Sequence, residues 1–123
     1  MNKRCFLGLT LMSGLCWAMA GHAAEKRSVQ AEVDSLLASV EASACSFYRN
    51  GSWHDSKTAV AHLREKYDYL VVRNLIVTTE DFIERAASRS SISGQAYEVK
   101  CGDHAAMESA RWLREKLALL RAT

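Results

Sequence analysis

Proline is absent from this 123-residue chain, and neither sign of charge is in excess: sixteen Lys and Arg face fourteen Asp and Glu. Without proline there is no collagen-like fibre. A balance this even does not make a nucleic-acid-binding surface. The length leaves room for one domain, which excludes a long multidomain enzyme and a repeat array. The small net charge and a hydrophobic fraction of 49% exclude a disordered tail. No phosphate loop, nucleotide fingerprint or cofactor-attachment motif is present, so no cofactor is expected.

The first segment reads as targeting rather than fold. Lys3 and Arg4 form a basic start, and Phe6, Leu7, Leu9, Leu11, Met12, Leu15, Cys16 and Trp17 form an uncharged apolar stretch. Ala18-Met19-Ala20 is a small-x-small cleavage site, with Gly21-His22-Ala23 a second candidate just downstream. This is the pattern of a secretory signal peptide over residues 1–20, cleaved after Ala20 or Ala23. The apolar run is too short for a membrane anchor and no stop-transfer charges follow it, so no membrane insertion is expected after cleavage. Leu15 before Cys16 departs from the lipoprotein pattern.

Cleavage would remove Lys3 and Arg4 and leave fourteen charges of each sign. It would also remove Cys5 and Cys16, leaving Cys45 and Cys101. Two cysteines in an exported domain most often pair; the competing state is two free thiols. The bridge would close a loop of roughly 57 residues and contribute about 4 kcal/mol on the chain-entropy model. Their spacing excludes a CxxC redox centre.

Residues 21–27 read as a flexible lead-in, and 28–121 as one domain. From Ser28, a plausible N-cap, Val29, Val33, Leu36, Leu37, Val40 and Ala44 recur at three- and four-residue steps, predicting an amphipathic helix. Cys45-Ser46-Phe47-Tyr48-Arg49 and Ser52-Trp53-His54 flank Asn50-Gly51, the strongest short hairpin signal. Asp55 then caps a second helix with Ala59, Val60, Leu63, Tyr67, Leu70 and Val71 on one face, an Arg64–Asp68 pair along it and Asn74 at its end. Leu75, Ile76 and Val77 form an apolar connection to a short helix opened by Thr78-Thr79-Glu80-Asp81, with Phe82, Ile83, Ala86 and Ala87 inward. Ser88 to Gly94 is a loop, and Tyr97, Val99 and Cys101 alternate as a half-buried strand. Gly102-Asp103 is read as capping a last helix with Ala106, Ala110, Leu113, Leu117 and Leu120 on its stripe. The expected fold is α+β: about four helices on a small antiparallel sheet made of the hairpin and one late strand.

The runs Cys45 to Trp53, His62-Leu63, Lys66 to Tyr69, Glu80 to Ile83, Ala87-Ser88, Ser90 to Gly94, Tyr97 to Val99 and Trp112-Leu113 together resemble the YfeK-like family of small bacterial periplasmic proteins, of unknown function. The similarity spans about residues 36–121. It implies a bacterial periplasmic protein with a paired cysteine, and supplies no activity, ligand or catalytic residue.

Ser93-Gly94-Gln95-Ala96-Tyr97 fits the SGxxY pattern found in several families of bacterial periplasmic lysozyme inhibitors, whose serine loop enters the lysozyme cleft. A Ser-Gly tip is narrow, its hydroxyl can hydrogen-bond carboxylates, and the tyrosine anchors the loop. Arg89 and Lys100 lie near in sequence and would complement an acidic cleft. The competing reading is a loop that needs Gly94 for its backbone, followed by a core tyrosine; those inhibitors are also β-rich, unlike this chain. A second candidate surface is the hairpin, where Trp53 beside Tyr48 and Arg49 could stack on a sugar or a protein.

The remaining constellations favour structure over chemistry. Ser52, His54 and Asp55 are near neighbours on one short segment, which rarely converge as a triad. His22, His54, His62 and His104 show no metal-ligand spacing, so no metal is expected. Glu80, Asp81 and Glu84 suit the positive end of a helix better than paired carboxylate catalysis. The expectation is an exported, periplasmic, non-enzymatic protein-binding or inhibitor-like module, with a lysozyme-like hydrolase as a possible partner. The rivals are an envelope enzyme acting on peptidoglycan or glycans, and a structural partner in an envelope complex.

Overall fold

The computed structural model describes residues 27–123. The signal segment, both cleavage sites and most of the lead-in lie outside the described residues. Arg27, the last residue of that lead-in, donates to the Leu120 carbonyl (2.9 Å) and to Thr123 Oγ1 (3.1 Å).

Helix α1 (Val29–Ala42) starts where Ser28 Oγ accepts from the Ala31 amide, satisfying an otherwise orphaned donor. Its inward stripe of Val33, Leu36, Leu37 and Val40 is almost wholly buried. Ala44 then takes a positive φ of 52°, which swings the chain into β1 (Ser46–Arg49). β2 (Ser52–His54) follows through Asn50 and Gly51, with φ of 49° and 85°. Two successive positive φ values match the natural twist of a hairpin, which is why Asn-Gly is read so reliably there.

Helix α2 (Ser56–Val71) begins where Asp55 accepts from the Thr58 amide at 2.8 Å. It ends where Asn74, at φ 57°, lets Asn74 N–H reach the Val71 carbonyl and Leu75 N–H the Leu70 carbonyl. That is the paired bonding of a Schellman stop. Of the connecting Leu75, Ile76 and Val77, Ile76 packs against the core while Leu75 and Val77 stay exposed. Helix α3 (Thr79–Ala86) opens with a reciprocal capping box between Thr78 and Asp81 and buries Phe82, Ile83 and Ala86 completely.

β3 (Glu98–Lys100) pairs with β1, and β4 (Met107–Glu108) pairs with β3, giving an antiparallel sheet of order β2-β1-β3-β4. The last helix, α4 (Ser109–Arg121), begins later than the sequence reading placed it. Gly102 and Asp103 turn the chain, but into a fourth strand rather than into the helix, so Ala106 lies before the helical stripe. The Val99–Met107 pairing outcompetes local helix propensity for these residues.

Register sorts the sheet's two faces. His54, Phe47, Val99 and Met107 form one row facing the helices, and Trp53, Tyr48, Glu98 and Glu108 form the outer row. The core lies between that inner row and the helices; Phe47 meets Trp112 edge to face, and Tyr67 meets Phe82 likewise.

Cys45 and Cys101 are disulfide-bonded, tying the residue before β1 to the residue after β3. A second tie is ionic. Glu32, buried on α1, accepts from Thr79 Oγ1 at 2.6 Å and from Arg121 Nε and Nη2 at 2.9 and 3.0 Å. Arg121 also reaches Glu80. These bonds join α1, α3 and α4 and hold the Glu32 carboxyl down at a pKa of about 2, the Arg121 hydrogen bonds outweighing the opposing effect of burial. One expected pair differs: Arg64 turns to Asp34 of α1 at 2.6 Å instead of Asp68. A contact between helices replaces one along a helix.

Candidate functional site

The loop between α3 and β3 is built from its own hydroxyls. Ser90 N–H donates to the Gln95 carbonyl and Gly94 N–H to the Ser90 carbonyl, both at 2.9 Å. Ser90 Oγ, itself buried, accepts from the Ile92 and Ser93 amides at 3.1 and 3.2 Å. Gly94 supplies the positive φ of 71° that closes the turn. Arg89 and Ala96 bridge across the base, and Tyr97 N–H donates to the Ser88 carbonyl. The result is a closed loop whose apex, Ile92, is 93% exposed.

Ser93 does not stand free at that apex. Its hydroxyl accepts from Gln95 N–H and donates to Asn50 Oδ1 at 2.6 Å. Asn50 is the first residue of the hairpin turn, so the two surfaces singled out in the sequence meet and form one end of the molecule. Tyr48 and Trp53 lie side by side on the outer sheet face, 5.4 Å between ring centroids, with Trp53 47% exposed.

The other expected binding residues are placed differently. Arg89 pairs with Glu84 at 3.2 Å. Lys100 lies at the far end of β3, opposite Ser46, away from the loop. Arg49 shares the inner face with Phe47, so it does not join Tyr48 and Trp53. Its guanidinium instead meets Nδ1 of His62 on α2.

That contact starts a chain of polar groups beneath the loop. Arg49 can only donate, so His62 Nδ1 accepts and the imidazole proton sits on Nε2. Nε2 then donates to the Tyr97 hydroxyl at 3.2 Å, and Lys66 Nζ donates to the same oxygen at 3.2 Å. Lys66 also lies over the Tyr97 ring, 5.1 Å from its centroid, and donates to the Arg89 carbonyl. Burial, then the nearby Arg49, Lys66 and His54 charges, push the His62 pKa down to about 4. Burial raises Tyr97 and lowers Lys66. Tyr97 is therefore a buried anchor fixed by α2.

Behind this chain lies a small, half-open recess between the hairpin, α2 and the first turn of α4. Phe47, Ala59, Leu63, Ala87 and Leu113 give it apolar walls; Arg49, His54, His62, Tyr97 and Ser109 add polar groups, and no carboxylate lines it.

The discounted acids serve as helix caps and ion-pair partners. Asp55 caps α2, Asp81 closes the capping box of α3, Glu80 pairs with Arg121, and Glu84 pairs with Arg89 and Arg114. His22 lies outside the described residues. Among the described residues no three His, Cys, Asp or Glu side chains gather as a metal site. His62, Lys66 and Ser109 are the members that sequence reasoning did not assign to a site. His62 and Lys66 are one turn apart beside the buried Leu63, but nothing local to α2 indicates that Tyr97 would meet them.

These features define a small disulfide-linked α+β domain, its helices on one sheet face and a loop and hairpin joined at one end. The chain belongs to the family of unknown function DUF5329, whose model matches residues 27–121. It is 36% identical over 93 residues to the uncharacterized protein YfeK of Salmonella typhimurium, covering 76% of this chain and 72% of that protein. No solved structure matches it.

Proposed function

We propose that this chain is an exported, periplasmic, non-enzymatic protein-binding module of one domain, and that it binds through the end where the Ser90–Tyr97 loop meets the Phe47–Trp53 hairpin. The observation that carries this reading is the exposure of Ile92 on a loop held rigid from both sides. Ser90 closes the loop internally, Ser93 fastens it to Asn50, and Tyr97 is clamped below by His62 and Lys66. An apolar apex on a preorganised loop costs little conformational entropy to bury in a partner, and the neighbouring Trp53 is a residue type enriched at binding hot spots.

The finer reading is inhibitor-like: the narrow loop enters the cleft of a lysozyme-like hydrolase. Because the Ser93 hydroxyl is engaged with Asn50, Ile92 makes the insertion and Ser93 sets the loop's position. An envelope enzyme fits less well, since His62 faces Arg49, Lys66 and Tyr97 and no carboxylate lines the recess. The structural-partner reading has one observation in its favour: Tyr69, Val71, Val72, Leu75 and Val77 are exposed near the end of α2.

Purified mature protein tested against lysozymes of several classes separates these readings. Inhibition of cell-wall lysis is expected with the natural sequence, to be abolished by Ile92→Asp and weakened by Ser93→Ala. Failure to slow any class at large molar excess defeats the inhibitor reading. Inhibition untouched by Ile92→Asp defeats the assignment of the face.

A further inference from the structure

We propose that the outer face of the sheet is a docking surface for a basic segment of a protein partner, with an arginine side chain laid over Tyr48 and Trp53 and beside Glu98. This face shares the hairpin with the loop–hairpin end, but nothing in it requires the Ile92 apex to bind.

With the helices packed on the inner row, no described element covers the outer one. Trp53, Lys100 and Glu108 are exposed there, and Tyr48 and Glu98 are half-buried. Register sets four of these side chains in a line across the strands. Trp53 stands opposite Tyr48, Tyr48 opposite Glu98, and Glu98 opposite Glu108. Neighbouring strands lie about 4.8 Å apart, so the aromatic pair adjoins the carboxylate pair.

The two glutamates are the anomaly. Like charges directly opposite each other on one face destabilise a sheet. Nothing in the fold relieves them: neither forms an ion pair among the described residues. Lys100, two residues from Glu98 on the same face, pairs with neither, and Arg111, one turn beyond Glu108, pairs with Glu115. Glu108 directly precedes α4 but makes no side-chain cap there. A local rule broken without compensation inside the fold is the mark of a functional site. A cation brought by a partner supplies that compensation.

The aromatic pair selects the cation. The Tyr48 and Trp53 rings are tilted at 60° with centroids 5.4 Å apart, and Trp53 is 47% exposed. An aromatic face attracts a cation, and both residue types are enriched at protein interfaces. A planar guanidinium stacks on a ring and forks to a carboxylate at once, whereas the ammonium of lysine is more strongly hydrated and does neither as well. Lys100, further along β3, repels a second cation and confines the partner's charge to the line from Trp53 to Glu108.

NMR titration of the folded domain with the acetylated, amidated peptide Gly-Arg-Gly-Arg-Gly tests this. Two companion peptides carry lysine or citrulline at both arginine positions, citrulline keeping the shape and losing the charge. Shifts are expected to centre on the Trp53 indole and on Tyr48, Glu98 and Glu108. The arginine peptide is expected to bind about tenfold more tightly than the citrulline peptide and about threefold more tightly than the lysine one, and to weaken as salt is raised. Glu98→Gln and Glu108→Gln are each expected to weaken it several-fold while leaving the melting temperature unchanged or raised, because the like-charge contact is gone. Glu65→Gln, which removes an exposed carboxylate from α2, is expected to leave binding unchanged. The titration contains no hydrolase, so its failure is distinct from a failure of the lysis assay. Equal affinity for the citrulline peptide, shifts centred elsewhere, binding undiminished in both Glu98→Gln and Glu108→Gln, or no binding up to about 10 mM would overturn the proposal.

Discussion

Tyr97 shows how one residue changes meaning between sequence and structure. Read along the chain it is the end of an SGxxY pattern; in the fold it is a clamp whose hydroxyl receives His62 and Lys66. Tyr97→Phe is expected to destabilise the domain by about 1–3 kcal/mol, because two donors lose their acceptor, and urea titration checks it. His62 carries a pH signature. Its folded pKa of about 4 lies below its ordinary 6.5, so the folded state takes up its proton later than the unfolded chain. The stability this confers is complete above about pH 6.5 and is lost as pH falls towards 4. Glu32, held at about 2 against an ordinary 4.5, has the same sign in a lower window, with Glu80, Asp55 and Asp81 also lowered. Unfolding free energy measured from pH 8 to 3 is expected to fall in two stages, and His62→Gln to flatten the upper one. A profile flat from pH 7 to 5 in the natural sequence would contradict the burial of this imidazole.

At the scale of elements, local chemistry was legible and long-range chemistry was not. Ser28, Asp55, Thr78 and Asn50-Gly51 each announce a cap or turn through bonds to residues within a few positions, and each is where its sequence places it. β4 escaped notice because Met107 and Glu108 are a strand only by virtue of Val99 and Glu98. Arg64 escaped because an i,i+4 acid is visible in the sequence whereas Asp34, on another helix, is not. The candidate site was half legible for the same reason: the loop and the hairpin stand out separately, but the Ser93–Asn50 bond joining them spans 43 residues. Two substitutions test the local bonds. Thr78→Ala is expected to cost about 1 kcal/mol by removing the capping box of α3. Ala44→Gly is expected to stabilise by about 0.5–1 kcal/mol, because a side chain at φ 52° is strained and glycine is not. A loss of stability on Ala44→Gly would argue against the left-handed turn between α1 and β1.

For the whole molecule, the disulfide and the Glu32–Arg121 cluster brace opposite parts of the fold. The bridge holds the two central strands at the end remote from the Ser90–Tyr97 loop, with a sequence separation of 56. Replacing both Cys45 and Cys101 with serine is expected to cost about 2–5 kcal/mol, and a far smaller loss in urea titration would show that the helices carry the fold without it. Bracing at that end leaves the loop to be fastened to the hairpin and to α2 by the side-chain hydrogen bonds of Ser93 and Tyr97. The central claim, that this end is the binding face, is tested most directly by a photo-crosslinking residue placed at position 92 and, as a control, at position 72, in the protein expressed in its native cells. The account expects a discrete protein adduct from position 92 that weakens when Ser93 is replaced by Ala, and none from position 72. An adduct from position 72 alone would contradict it, and would move the interface to the exposed apolar end of α2.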